Sequence, residues 1–365
     1  MYSSERMTLE FISSSALKGA VVANYLCADD FILEDGRVSG VRATDVVNGE
    51  SLNIKDDCVI NAAGPWIPLL NKSISTRSIV TAFSKGAHVV TTPVTQDVAV
   101  ALPTQKQNQS IINRGGRHVF VIPWRGQSLI GTTYDPYAEE LDKVRPTEDD
   151  IEELISDINS AFGKTVLKRK DVKYSFAGIY PLVDDEINIK VYQGTGEYQI
   201  VDHTITDNID GLITVFGAKF TTARLLAEKA LDQLVDKFTK PLKSCQTKTL
   251  PLSSGDIVSV KEYRKLKQHE FAAVLPEDVI DHLVTYYGTD IDAVVKYTVS
   301  DTHWKQTLTT NHPDIEAQII YAVEHEMVCH LDDVLFRRTG LGTLGHPGNE
   351  VIERCADIMS DSLQW

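Results

Sequence analysis

The sequence predicts an α/β region followed by an all-α domain, and three observations carry this. Up to about Thr206 the chain alternates short strand-like runs with glycine and asparagine turns, and few helices intervene. Residues 211–222, GLITVFGAKFTT, read as strand, glycine turn and helix. After Val258 the pattern is helical, with breaks at Pro276, Gly288, Pro313 and Gly340–Gly348. A loop rich in Lys, Thr, Ser and Pro, Thr239–Gly255, separates the two parts, with the boundary expected between 245 and 246.

In chain order, the pattern predicts a helix over Ser4–Lys18 ended by Gly19, then a short apolar strand, Ala20–Leu26. A β-meander comes next at Phe31–Leu33, Val38–Asp45 and Ser51–Ile54, with turns at Glu34-Asp35-Gly36 and Asn48-Gly49. Asp57–Trp66 reads as a buried strand ending in small residues. Further strands are expected at Ile79–Phe83, Ala87–Thr92, Ser110–Ile112, His118–Pro123 and Ser128–Gly131, the last two joined by a turn at Trp124–Gln127. One helix interrupts them. Thr147 caps it, acidic residues fill its first turn, and Ile151, Leu154, Ile155, Ile158 and Phe162 form its apolar face. Residues 79–206 therefore read as a large mixed or antiparallel sheet suited to holding a substrate. The helix after the glycine turn is expected to reach Phe238, with Phe220, Ala223, Ala227, Ala230, Leu231 and Leu234 inward.

Charge and cysteine usage narrow the function. Lys+Arg 36 against Asp+Glu 51 gives a net charge of −15, with no basic run, which argues against a nucleic-acid partner. An anionic metabolite held by a few local cations stays open. The five cysteines, Cys27, Cys58, Cys245, Cys329 and Cys355, are scattered and never CxxC, which points to a reducing compartment rather than a disulfide framework or zinc site. No apolar run approaches the ~20 residues of a spanning helix, and the start lacks signal-peptide architecture. The expectation is a cytoplasmic chain, or one peripheral to the cytoplasmic face of a membrane.

Four segments invite chemical readings. Gly340-Leu341-Gly342-Thr343-Leu344-Gly345 matches GxGxxG, but the dinucleotide fingerprint needs a strand before it and a helix opening within it. Here a helix, Leu331–Arg338, precedes it and Pro347 interrupts the residues after it, so an interhelix loop is expected. His325 and His330 are five apart, not four, so they do not share a helical face as HExxH ligands do; packing or hydrogen-bonding roles are expected, and no metal site. The turn at Gly217-Ala218-Lys219 aims helix N-terminal amides and an ammonium at one point, suiting an anion or simply a structural turn. Asn61-Ala62-Ala63-Gly64-Pro65-Trp66 lets backbone approach a ligand closely, or is a tight sheet exit.

Together, in order, several segments resemble the FAD-dependent glycerol-3-phosphate dehydrogenases and oxidases, flavoproteins similar in fold to D-amino-acid oxidase. They are NAAGPW (61–66), KGAHVV (85–90), HVFVIPWRGQSLIGTT (118–133), FAGIYPL (176–182) and VFGAKFTTARLLAEKAL (215–231). YGTD (287–290) and IIYAVEHEMVCHLDDVLFRRTGLG (319–342) resemble that family's helical cap. The resemblance implies the remainder of an FAD-binding Rossmann-like domain (1–78 and 207–245) around a substrate sheet (79–206), and a cap over 246–365. It implies oxidation of glycerol 3-phosphate to dihydroxyacetone phosphate by hydride transfer to FAD, with quinone or oxygen as acceptor. A homodimer stays open.

On that pattern Val21 and Val22 lie beside the adenine end of FAD, and Ala62, Ala63 and Gly64 near its pyrophosphate and ribityl chain. Gly217, Ala218, Lys219, Phe220 and Thr221 cover the flavin edge, with Lys219 reaching the substrate. His88, Thr132 and Thr133 lie on the substrate sheet. The family's opening βαβ unit with GxGxxG is not matched in this sequence, so weak FAD binding by the chain alone is expected. Where the family reads Gly-x-Arg-Pro-Leu, this sequence has Gly178-Ile179-Tyr180-Pro181-Leu182. Tyr180 thus replaces the arginine expected to hold substrate, which leaves open another hydroxy acid or an amine as substrate, or an inactive relative that binds a partner.

Overall fold

The structure, a computed structural model, describes residues 3–74, 76, 82–104, 118–182, 198–217, 219–235 and 243–363. The backbone divides into two compact units: Tyr25–Lys248, and Met1–Asn24 together with Thr249–Trp365.

The first unit is β-rich. Strands β1 (Leu26–Glu34), β2 (Arg37–Asp45) and β3 (Ser51–Lys55) form the expected antiparallel meander in the order β1-β2-β3. Asp35 and Gly36 both take positive φ, 49° and 79°, the geometry that twists a two-residue hairpin correctly. Strand β4 (Val59–Asn61) leads through a 3-10 turn, Gly64–Trp66, into the short helix α2 (Ile67–Asn71).

A second sheet holds β5 (Ala82–Thr91), β6 (Val100–Pro103), β7 (His118–Trp124), β8 (Gln127–Gly131), β9 (Asp135–Tyr137) and β10 (Val172–Leu182). Its order is β10-β5-β8-β7-β6 with β9 beside β5, and the pairs are antiparallel. The strands predicted at Ile79–Phe83 and Ala87–Thr92 are one continuous β5 as far as they are described; Ser110–Ile112 lies outside the described residues. Helix α3 (Glu148–Phe162) covers one face of this sheet. Thr147 caps it in a reciprocal box with Asp150, and Ile151, Leu154 and Ile158 pack on Val89, Val119, Val121 and Ile130.

A third sheet runs β11 (Gln199–Asp202), β12 (Leu212–Phe216), β4. A one-turn helix, α4 (His203–Thr206), joins β11 to the loop before β12, and α5 (Phe220–Leu234) comes after β12. Strands β12 and β4 are parallel, with Thr214 opposite Asn61. Of the predicted inward face of α5, Ala230 and Leu234 are buried; Phe220 and Leu231 are more than two-fifths exposed, and Leu226 packs inward instead.

The second unit is helical: α1 (Ser4–Ala16), α6 (Val260–Phe271), α7 (Glu277–Tyr287), α8 (Ile291–Ser300), α9 (Ala317–His325) and α10 (Asn349–Leu363). Between α9 and α10 a π-helical turn, Asp333–Arg338, leads into the GxGxxG segment. That segment is an interhelix connection built around a 3-10 turn, Leu341–Leu344. Gly340 adopts φ 68°, and a Cβ on Gly342 would lie 2.5 Å from the Phe336 ring, so left-handed backbone explains the first glycine and packing the second. Arg6 of α1 is buried, ion-pairs with Glu326 and with Glu10 (3.0 Å), and lies 4.5 Å from the Tyr287 ring centre. Arg338 donates to the Glu326 carbonyl at 2.6 Å.

By its contacts helix α1 groups with the compact helical unit. One expectation fails here. Ala20–Tyr25 is not a strand: Val21 is fully exposed, Tyr25 has φ 55°, and extended pairing begins at Leu26. An apolar run becomes a buried strand only beside a ladder partner, and no described strand pairs with residues 20–25.

Candidate functional site

Two features of the sheet-bearing unit bring the predicted residues together. The first is the shared edge of β4 and β12. Because the two strands run parallel, their C-terminal ends emerge on the same side of the sheet, where open parallel sheets carry ligands.

From β4 emerges Ala62-Ala63-Gly64. Buried Asn61 shapes this turn: its Oδ1 accepts the Ala63 N–H at 3.1 Å, and its Nδ2 donates to Asn71 Oδ1 at 3.0 Å. Gly64 takes φ 56°. Asn61 was not singled out from sequence, although asparagine before a run of small residues is a turn signal.

From β12 emerges Gly217, with Tyr198 Cβ and Leu226 Cδ2 only 3.1 and 3.2 Å from where its own Cβ would sit, so a bulkier residue would be crowded. Ala218 lies outside the described residues. Lys219, exposed, is the N-cap of α5 and provides no side-chain cap. By contrast Ser3, Thr147 and Ser259 each cap their helix by accepting an N–H. Among the described residues no N-cap side chain occupies the first amides of α5, at Phe220 and Thr221, an arrangement that suits an outside acceptor.

The second feature is the face of the six-stranded sheet that α3 does not cover. Directly opposed residues on antiparallel strands share a face. Phe120, Gly131, His88 and Phe176 thus form one row across β7, β8, β5 and β10. The His88 and Phe176 rings stack with centroids 5.0 Å apart and planes 4° apart. Along the strands the next row is Gly86 opposite Gly178, and the row after it Ser84 opposite Tyr180.

Two facing glycines leave a trough between the flanking side-chain rows, which stand four residues, about 14 Å, apart. A Cβ on Gly178 would meet open space, and one on Gly86 would meet Thr132 Oγ1 at 2.6 Å. So Thr132 flanks the trough, His88 and Phe176 close one end, and Tyr180 stands at the other. Strand β10 also packs against the Gly64–Trp66 turn, which brings the first feature alongside the second.

Burial lowers the His88 imidazole to a pKa of about 4, so it is neutral at pH 7 and presents a hydrogen-bond acceptor. Thr133 does not face the trough. Its Oγ1 accepts the Ala87 N–H at 3.0 Å and donates to Asp150 Oδ1 at 3.3 Å, within a buried network where Asp150 Oδ2 receives Lys85 Nζ at 2.6 Å. Both threonines lie beyond Gly131, the last residue of β8, so strand alternation does not set which side each one serves. Val21 and Val22 belong to the helical unit, not to the unit that holds the two turns.

The remaining predicted candidates have packing partners. His325 Nε2 meets Tyr297 Oη at 3.0 Å, and Glu326 is the buried partner of Arg6. A cavity of about 600 Å³ bordered by Pro68, Leu69, Phe83 and Pro136 contains none of the predicted site residues. Among the described residues no helix is long and apolar enough to cross a membrane.

Comparison with known proteins bears on the family of the chain. The chain is 30% identical over its whole length to a probable mitochondrial glycerol-3-phosphate dehydrogenase of Dictyostelium discoideum, of which it covers 57%. It is 28% identical to a glycerol-3-phosphate dehydrogenase of a Synechocystis strain, covering 99% of this chain and 66% of that one. The chain thus spans between about half and two thirds of the length of these relatives. A solved structure, the Bacillus halodurans glycerol-3-phosphate dehydrogenase complexed with FAD, superposes with TM-score 0.81 at 26% identity over 99% of this chain and 69% of that one. Residues 245–365 match the family model for the C-terminal domain of alpha-glycerophosphate oxidase. Residues 3–232 match the model for FAD dependent oxidoreductases, and the chain therefore belongs to the FAD-dependent oxidoreductase family.

Proposed function

We propose that this chain forms the substrate-holding part of an FAD-dependent enzyme that oxidises sn-glycerol 3-phosphate to dihydroxyacetone phosphate. The observation that carries the reading is the likeness, over nearly the whole chain, to the FAD-complexed glycerol-3-phosphate dehydrogenase. The trough supports it, being open over Gly178 and ending at a neutral imidazole.

The N-terminus of α5, which Lys219 does not cap, and the Ala62–Gly64 backbone suit a flavin nucleotide, because a helix N-terminus favours an anion and small residues allow close approach. When bound, FAD supplies the hydride acceptor and hands two electrons on to a quinone or to oxygen. His88 accepts a hydrogen bond from the substrate hydroxyl and takes its proton at a ring nitrogen as the carbon loses hydride. The Lys219 ammonium draws the phosphate and stabilises negative charge near the flavin edge. Thr132 offers a hydroxyl beside the bound chain. Tyr180 donates a neutral hydrogen bond where the family's arginine would grip phosphate with two charged ones. The compartment we propose is the cytoplasm, with a quinone acceptor met at the membrane face.

The test is anaerobic addition of glycerol 3-phosphate to the flavin-loaded protein. Bleaching of the visible flavin absorbance is expected. Bleaching by other hydroxy acids or amino acids alone would overturn the substrate, a reading favoured by Tyr180; no bleaching by any of them would overturn the activity.

A further inference from the structure

The neutral imidazole at the end of the trough is held from two sides. On one, Phe176 stacks against it face to face. On the other lies bare backbone: a Cβ on Gly131 would fall 2.1 Å from His88 Cδ2 and 2.6 Å from both Cγ and Nε2. Any side chain at 131 would displace the ring. Phe176 is itself 37% exposed, so its own burial does not account for an aromatic at this position.

Resting on the oxidation proposed above, we propose that Phe176 is a positioning residue for that reaction: with the side-chain-free backbone at Gly131, it fixes the plane in which His88 presents its ring nitrogens to the trough. Phe176 also shields the imidazole from water. The groups sharing this face are Ser84 on β5, Tyr174 and Tyr180 on β10, His118 on β7 and Thr132 beyond β8. Lys85 of β5 and Asp150 of α3 lie on the opposite face and pair there.

The alignment matters because proton transfer needs the acceptor lone pair aimed at the hydroxyl, and a ring free to rotate spends less time in that geometry. Loss of the stacked ring should both unlock and hydrate His88.

The test uses NMR titration of the His88 ring in the purified chain, with flavin-loaded turnover on glycerol 3-phosphate alongside. In Phe176→Leu the titration midpoint should rise by about one unit as water regains the ring. On the loaded protein kcat should fall roughly tenfold while KM stays within about twofold, the signature of lost alignment rather than lost binding. Phe176→Tyr keeps the ring and should restore both readouts. Should Phe176→Leu fail to fold, Phe176→Met, which keeps bulk without a ring, should give the same shifts. An unmoved midpoint in a folded Phe176→Leu or Phe176→Met variant, or equal losses in Phe176→Tyr, would overturn the proposal. A wild-type protein inert to glycerol 3-phosphate whose midpoint still answers to Phe176 would overturn the activity reading and leave the positioning of His88 standing.

Discussion

The two faces of the six-stranded sheet are built from the same strands and differ in everything else. Against α3 the rows are Val121, Ile130 and Val89, all fully buried, with the Lys85–Asp150 pair at one end. On the opposite face the neighbouring row is Phe120, Gly131, His88 and Phe176, and the glycines beside it open a trough. One face is packed into the core, and the other is the one on which we propose the chemistry. Because strand side chains alternate with period two, the same few strands serve both, and neither face constrains the other's side-chain choice.

The contrast breaks most severely at Asp150. Asp150→Ala would strand the Lys85 ammonium in the core and remove the acidic partner of the α3 capping box. We expect a loss of about 3–5 kcal/mol, read by urea denaturation. Burial alone raises the Asp150 pKa, but the Lys85 ammonium and the Thr147 N–H and hydroxyl outweigh it and hold the carboxyl below its ordinary 3.8. A depressed carboxylate stabilises the fold above its unfolded pKa, and the benefit fades as pH drops through the folded value. Acid should therefore remove this contribution below about pH 4, and Asp150→Asn should flatten that part of the stability curve. An unchanged acid limb would show the pair to be dispensable.

Leu154, fully buried between α3 and the sheet, comes next. Leu154→Ala should cost about 2–5 kcal/mol through lost burial and the cavity left behind. Thermal melting at neutral pH checks it, and a shift no larger than that of a surface variant would mean the interface collapses to fill the gap.

On the trough face the expected effects move from stability to catalysis. Tyr180→Arg in the flavin-loaded protein should restore a charge-assisted contact to phosphate worth about 1.5–3 kcal/mol, lowering KM for glycerol 3-phosphate roughly ten- to hundredfold. Steady-state kinetics with that substrate is the measurement. Weaker activity on every phosphate ester would place the phosphate away from position 180.

The smallest effect is expected at Phe120, in the His88 row but half exposed. Phe120→Ser in the chain without flavin should change stability by no more than about 0.5–1 kcal/mol. A loss as large as that of Leu154→Ala, seen by the same melts, would mean that the two faces are not divided as described.

Much of this architecture is legible in the sequence because it is local. The meander turns need glycine or aspartate at positive φ, and the Thr147–Asp150 cap joins near neighbours in the chain. The interhelix character of GxGxxG is set by the elements around it. The order of motifs proposes Ala62–Gly64, Lys219, His88, Thr132 and Tyr180 as parts of one site.

Tertiary structure decided what pairs with what. Whether Ala20–Tyr25 is a strand depends on a ladder partner that its own residues do not encode. Thr132 and Thr133 look interchangeable along the chain, and only the path of the backbone beyond β8 sends one hydroxyl toward Gly86 and the other to Asp150. Lys85 and Asp150 stand 65 residues apart and meet because α3 lies across β5. His88, Gly131 and Phe176 are likewise dispersed in sequence. Composition and periodicity determine which residues can bury, turn or cap, since those are energies of single residues and their near neighbours. The trough, the stacked imidazole and the buried ion pair arise from cross-strand register, and register is settled only when whole strands pair.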